Sequence, residues 1–73
     1  MQKNRVMLVA DDIDVNRASF RAMFEEEYEV LEAGDGEEAV DTFFAQKDIA
    51  LVLLDVMMPK MDGWEVLKTI RKY

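Results

Sequence analysis

The run Leu51-Val-Leu-Leu-Asp55-Val-Met-Met-Pro59-Lys-Met-Asp-Gly63 constrains this chain more than any other stretch. Its apolar residues end abruptly in one acid, and a loop holding Pro59 and Gly63 follows. A short, continuously apolar run reads as a buried strand, and open α/β sheets place their chemistry at the carboxyl ends of such strands. Val6-Met-Leu-Val-Ala10 is a second run of this kind, and it ends in Asp11-Asp12. If the two strands lie side by side, three carboxylates meet at one sheet edge. Like charges that close are unfavourable unless a proton or a cation joins them. The constellation asks for a hard divalent metal and leaves one carboxylate oxygen free to act as a nucleophile.

The rest of the chain supplies what such a sheet needs. After the first strand, Val15, Ala18, Ala22 and the pair Phe20/Phe24 recur at helical spacing, and Asp14 or Asp12 is placed to cap that helix. Glu25-Glu-Glu27 crowds acids at its end, where the helix dipole disfavours them. Tyr28 to Ala33 reads as a second strand, and Gly34-Asp-Gly36 as a turn. A second helix is expected from Glu37 to Gln46, with Ala39, Val40, Phe43 and Phe44 facing inward. Ile49 to Leu54 is apolar on both faces, which predicts a central strand. Asp62 caps a third helix that starts near Gly63 and carries Val66, Leu67 and Ile70 as its apolar stripe. Strand alternating with helix gives βαβαβα, a parallel sheet with right-handed crossovers. Met57, Met58, Met61 and Trp64 read as packing or loop cover.

Composition removes several classes of function. With 73 residues the chain is a single small unit, 1–73, marginal in stability without extra support. Sixteen acidic against nine basic residues leave a net charge of −7, which repels nucleic acid. There is no cysteine for a disulfide and no histidine for a triad or zinc site. No apolar run is long enough to cross a membrane, and no signal-peptide pattern opens the chain, so the expected location is cytoplasmic.

Four pieces carry a family resemblance: Val9-Ala-Asp-Asp12, Val15-Asn-Arg17, Ala33-Gly-Asp-Gly36 followed by Glu38-Ala39, and Asp55 to Gly63. In these pieces and their spacing the chain resembles the receiver domain of two-component response regulators. The resemblance implies a flavodoxin-like fold with sheet order 2-1-3. It implies that Asp55 is the phosphoacceptor, fed by a histidine kinase or phosphotransfer protein. It also implies Mg²⁺, contacted by Asp12, Asp55 and the backbone carbonyl of Met57, with Asp11 acting through water. Asn16 and Arg17 match the family beside this pocket, but a solvated first turn is the plain alternative, and both are kept out of the core site.

A receiver has five β/α units, and this sequence matches three. The family's Ser or Thr after strand four and Lys after strand five have no counterpart here, since Lys60 and Lys68 occupy other positions. The sequence is therefore read as a receiver fragment, not an enzyme, that keeps the nucleophile and metal ligands without the switch. Its third strand would present an apolar edge, which predicts a homodimer. The alternative is a dimerising assembly module that keeps the fold and does no signalling. An aspartate-nucleophile phosphatase is disfavoured, because such enzymes usually carry a second Asp where this chain has Met57.

Overall fold

The first strand, β1 (Arg5–Ala10), occupies the middle of a three-stranded parallel sheet. The protein was analysed as a computed structural model, which describes residues 5–72. The other elements are α1 (Asp14–Phe24), β2 (Tyr28–Ala33), α2 (Gly36–Ala45), β3 (Ile49–Leu54) and α3 (Gly63–Arg71). The strand order is β2-β1-β3, as the resemblance implies.

Strand alternation sorts the side chains onto two faces. Leu8 and Ala10 of β1, with Ala33 of β2, pack with Ala39 of α2 and Val66 of α3 in one buried cluster. Val52 and Leu54 of β3 lie against that cluster, and Met58 closes it from the loop after β3. Met7, Val9 and Val30 project the opposite way, under Phe20, Phe24 and Tyr28. Among the described residues, α1 is the one helix that covers this second face. It leaves an open hollow of about 290 Å³ lined by Val9, Phe20, Leu53 and the site residues Asp11 and Asp55.

Several local expectations need correction. Composition alone made the third strand central, whereas β3 lies at the edge, as the order 2-1-3 implied by the resemblance requires, and its Ala50 and Leu51 are exposed. Its apolar composition matches a strand buried on both sides, but among the described residues no strand pairs with its outer edge. Neither Asp12 nor Asp14 caps α1. Ile13 holds the N-cap position without a side-chain bond, and Asp14 is the first helical residue. Val15, Ala18 and Ala22 are exposed, so α1 touches the sheet mainly through its phenylalanines. On α2, Phe44 stands outward, edge-on to Phe43 at 5.2 Å between ring centroids. That helix also begins and ends one residue earlier than expected, because Asp35 caps it by accepting from the Glu38 N–H.

Other expectations hold. Asp62 caps α3 through the Glu65 N–H at 2.9 Å. Val66 is fully buried and Leu67 and Ile70 half-buried, as the helical stripe required. The acidic end of α1 closes without glycine: Glu25 keeps right-handed helical angles and its N–H donates to the Arg21 carbonyl. Arg21 in the last turn supplies the positive charge that the dipole favours there.

Candidate functional site

The sheet carries the acids to one place by continuing its ladder one residue past the strands. The Asp11 N–H donates to the Ala33 carbonyl at 3.1 Å, and the Asp55 N–H to the Ala10 carbonyl at 2.9 Å. Both residues are thus fixed at the carboxyl edge, where Asp12 follows directly. One carboxylate oxygen from each of Asp11, Asp12 and Asp55 lies within 4.8 Å of the others. Asp11 is buried, Asp55 half-buried and Asp12 exposed, so the cluster is open to solvent on the Asp12 side.

Each acid is held differently. The Asp11 carboxylate accepts from the Ile13 N–H at 2.9 Å and from Asn16 Nδ2 at 3.3 Å. It therefore ties the entry of α1 to the site, the task expected of a cap. Asp55 accepts from the Met57 N–H at 3.2 Å through one oxygen. The loop beyond folds back on itself, with the Gly63 N–H donating to the Val56 carbonyl and the Met61 N–H to the Pro59 carbonyl. Asp12 borders a shallow hollow of about 530 Å³ with Met57, Met58, Pro59 and Asp62. The Met57 side chain is largely exposed.

Two other groups brace the surroundings. Lys60, at a left-handed φ of 68°, reaches Asp35 at 3.5 Å and so links the loop after β3 to the start of α2. The Glu38 N–H, and then Lys60, hold the Asp35 carboxyl below its ordinary pKa. Arg17 lies across the base of the acidic cluster. Its Nη1 donates to the Asp11 carbonyl oxygen at 2.6 Å and its Nε to Glu32 at 3.1 Å, while Nη2 pairs with Asp14. Sequence alone kept Asn16 and Arg17 out of the core site, and both touch Asp11. Glu32 was missed entirely. Its signal was available, because Glu32 shares the Val30 face of β2, toward which Arg17 and Arg21 turn from α1.

The donor set suits Mg²⁺. All three side chains offer hard oxygen, and magnesium accepts one or two carboxylates while keeping several waters. Its ligands stand at about 2.1 Å, so two trans ligands are about 4.2 Å apart. A cluster spanning up to 4.8 Å needs only a small contraction, or one carboxylate reaching the ion through water.

Comparison with known proteins bears directly on this geometry. The family model described as the response regulator receiver domain matches residues 7–73. The chain belongs to the receiver domain family of two-component response regulators. Among relatives, this receiver sequence is 42% identical over 72 residues to a probable transcriptional regulator, ycf27, of Cyanophora paradoxa. It is 43% identical over 67 residues to response regulator RR06 of Streptococcus pneumoniae. Those matches cover 99% and 90% of the chain, and 30% of each relative. Among solved structures, the Thermotoga maritima response regulator TrrA in complex with Mg²⁺-BeF superposes with a TM-score of 0.88 at 40% identity. That match covers 94% of this receiver and 60% of TrrA. A Clostridium thermocellum receiver domain gives a TM-score of 0.89 at 30% identity, covering 94% of this chain and 56% of the other. Receiver domains are signalling modules, and these likenesses place the fold and the family together.

Proposed function

We propose that residues 1–73 form the first three β/α units of a phosphoacceptor receiver in which Asp55 is the nucleophile. The observation that carries this reading is the convergence of Asp11, Asp12 and Asp55 at the carboxyl edge of the sheet. A carboxylate oxygen of Asp55 attacks the phosphorus of a phosphoimidazole on a histidine kinase or phosphotransfer protein. A P–O bond forms and the P–N bond breaks, its electron pair going to the imidazole nitrogen, which takes a proton from water. The product is an acyl phosphate on Asp55. Asp12, Asp55 and the Met57 carbonyl would hold Mg²⁺, with Asp11 assisting through water, and the ion would offset the negative charge that the phosphoryl group brings to an acidic site. The Mg²⁺-BeF complex of TrrA, at 40% identity, supports the assignment. The test is intact-mass measurement after incubation with acetyl phosphate and Mg²⁺: one phosphoryl group is expected, and no gain refutes the reading.

Metal binding has its own measurement. Few protein oxygens converge, so the affinity for Mg²⁺ is weak, with Kd on the order of millimolar. Trp64 is exposed on α3, near the loop that carries Met57, and its fluorescence or the amide shifts around it report titration. Asp12→Ala removes the response. A response unchanged by that substitution rules out the ligation.

In a protein of these 73 residues, the outer edge of β3 pairs with a second copy. The run Ile49–Leu54 contains no charge and no proline to blunt it. It is a stretch where two chains of net charge −7 meet without opposing like charges. A two-fold, antiparallel β3–β3′ pairing gives sheet order 2-1-3-3′-1′-2′. Sedimentation is expected to show a dimer, and Leu51→Lys, on an exposed edge residue, to give monomers. A folded wild-type monomer at micromolar concentration contradicts the pairing.

A further inference from the structure

Arg17 makes more contacts than a surface arginine on a first helical turn requires. Its side chain is 17% exposed. It addresses three acceptors on three segments: the Asp11 carbonyl at the end of β1, Asp14 at the start of α1 and Glu32 on β2. The planar fork of a guanidinium suits this, since its donors are fixed relative to one another. Burial disfavours the charge of Arg17, but Asp14 and Glu32 more than offset it, so its pKa lies above the ordinary value. Glu32 is anchored in turn. Arg21 Nε donates to its second oxygen and Arg21 Nη2 to the Val30 carbonyl at 2.8 Å. Hydrogen bonding by Arg21, and then by Arg17, holds the Glu32 carboxyl below its ordinary pKa.

The geometry points to Arg17 as a positioning residue: seated on Glu32, it clamps the Asp11 carbonyl and so fixes the Asp11-Asp12 segment that presents two of the three site carboxylates. The exposed Asp14 partner contributes little, because an ion pair open to solvent is screened and costs side-chain freedom to hold. The working contacts are those to Asp11 and Glu32. Without the clamp, the Asp11 carbonyl, on a buried residue, loses its 2.6 Å partner. The peptide between Asp11 and Asp12 is then free to rotate, and the carboxylate spacing that suits a cation is no longer held. Asn16 acts alongside by orienting Asp11 Oδ2, but through one long bond of 3.3 Å. Glu32 is remote from the cation in this scheme and acts only through Arg17.

This inference rests on the proposed metal site, and the experiment separates the two. Mg²⁺ is titrated into wild type, Arg17→Ala, Arg17→Lys, Glu32→Gln and Phe24→Ala, with Asp12→Ala as the site control. Phe24 packs under the second face with the Met7, Val9 and Val30 cluster, so its variant lowers stability while leaving the Arg17 contacts in place. Amide exchange at Asp12 and Ile13 is measured in metal-free protein beside each thermal melt. Loss of a residue that orients a metal ligand typically weakens binding about 10–100-fold. Arg17→Ala is expected to fall in that range with faster exchange at Asp12 and Ile13, and Glu32→Gln to show a smaller loss of the same kind. Arg17→Lys recovers only part of the affinity, because one ammonium cannot span the three acceptors. Phe24→Ala melts earlier and binds as wild type does. If Phe24→Ala loses as much affinity as Arg17→Ala at equal stability, Arg17 is merely structural and the inference falls. If wild type binds, Asp12→Ala does not, and Arg17→Ala binds normally, the inference falls and the site stands. No binding by wild type overturns both.

Discussion

Asp55→Asn protein treated with acetyl phosphate and Mg²⁺ is expected to gain no phosphoryl mass, under conditions where wild type is expected to gain one. An amide oxygen is a poor nucleophile beside a carboxylate, so the loss is complete rather than graded. The three acids of the cluster are not equivalent candidates. Both Asp11 oxygens are engaged, by the Ile13 N–H and Asn16, and the residue is 7% exposed. Asp12 is open to solvent at the mouth of the site, where a metal ligand is of use. Asp55 is tied through one oxygen to the Met57 N–H, which leaves the second oxygen for attack. Asp12→Ala keeps the proposed nucleophile and is expected to weaken binding of the charge-neutralising ion. Its phosphorylation slows by about 10²-fold, the order expected when one electrostatic contact to developing charge is removed. Persistent incorporation in Asp55→Asn, mapped to Asp12 by peptide mass, assigns the nucleophile elsewhere and refutes the role given to Asp55.

The sequence disclosed those features that depend on local pattern. Tyr28–Ala33 and Ile49–Leu54 are strands with the expected bounds, because the turn at Gly34-Asp-Gly36 and the acid at position 55 mark where each run must stop. The meeting of Asp11, Asp12 and Asp55 followed from two strands ending alike, given that the strands are neighbours. Strand rank followed from the resemblance and not from composition. The composition of β3 records burial on both faces, and composition carries no information about which neighbours a given stretch of sequence includes. The cap of α1 was misread because three aspartates crowd positions 11 to 14, and each is chemically able to cap. Asp11, two residues before the N-cap, already bonds the Ile13 N–H, so no second capping side chain is used. Arg17 and Glu32 lie 15 residues apart, and only the packing of α1 over β2 makes them partners.

Gly36→Ala is expected to unfold most of the protein at 25 °C, and the reason differs from the turn chemistry that the sequence suggests. Gly36 is the first residue of α2, in ordinary helical conformation, so flexibility is not what it supplies. A Cβ there would lie 2.5 Å from the Met61 carbonyl carbon and Cβ, and closer still to the carbonyl oxygen. Real Cβ atoms essentially never come within 3.0 Å of such neighbours, so one segment must move. Neither moves freely. Asp35 caps α2 through the Glu38 N–H, and Glu38 in turn accepts from the Gly34 N–H at 2.7 Å. Met61 lies in the loop pinned by Lys60–Asp35 and by the packing of Met58 and Met61 on the core. Overpacking of this kind costs about 1–3 kcal/mol where neighbours relax, and more where backbone meets backbone. A single small core supplies only about 3–5 kcal/mol in all, so this one methyl removes most of it. Gly63→Ala behaves similarly, since its Cβ would lie 3.0 Å from the Asp55 carbonyl carbon and nearer its oxygen. It would also displace the proposed nucleophile. Gly34→Ala is the control, because its nearest neighbour is the Arg17 guanidinium at 3.5 Å, an ordinary van der Waals contact that needs no movement. Urea titration followed by Trp64 fluorescence ranks the three: Gly34→Ala within about 1 kcal/mol of wild type, Gly36→Ala without a folded baseline. A Gly36→Ala protein as stable as Gly34→Ala shows that the α2 start and the Met61 loop are not in the close contact described.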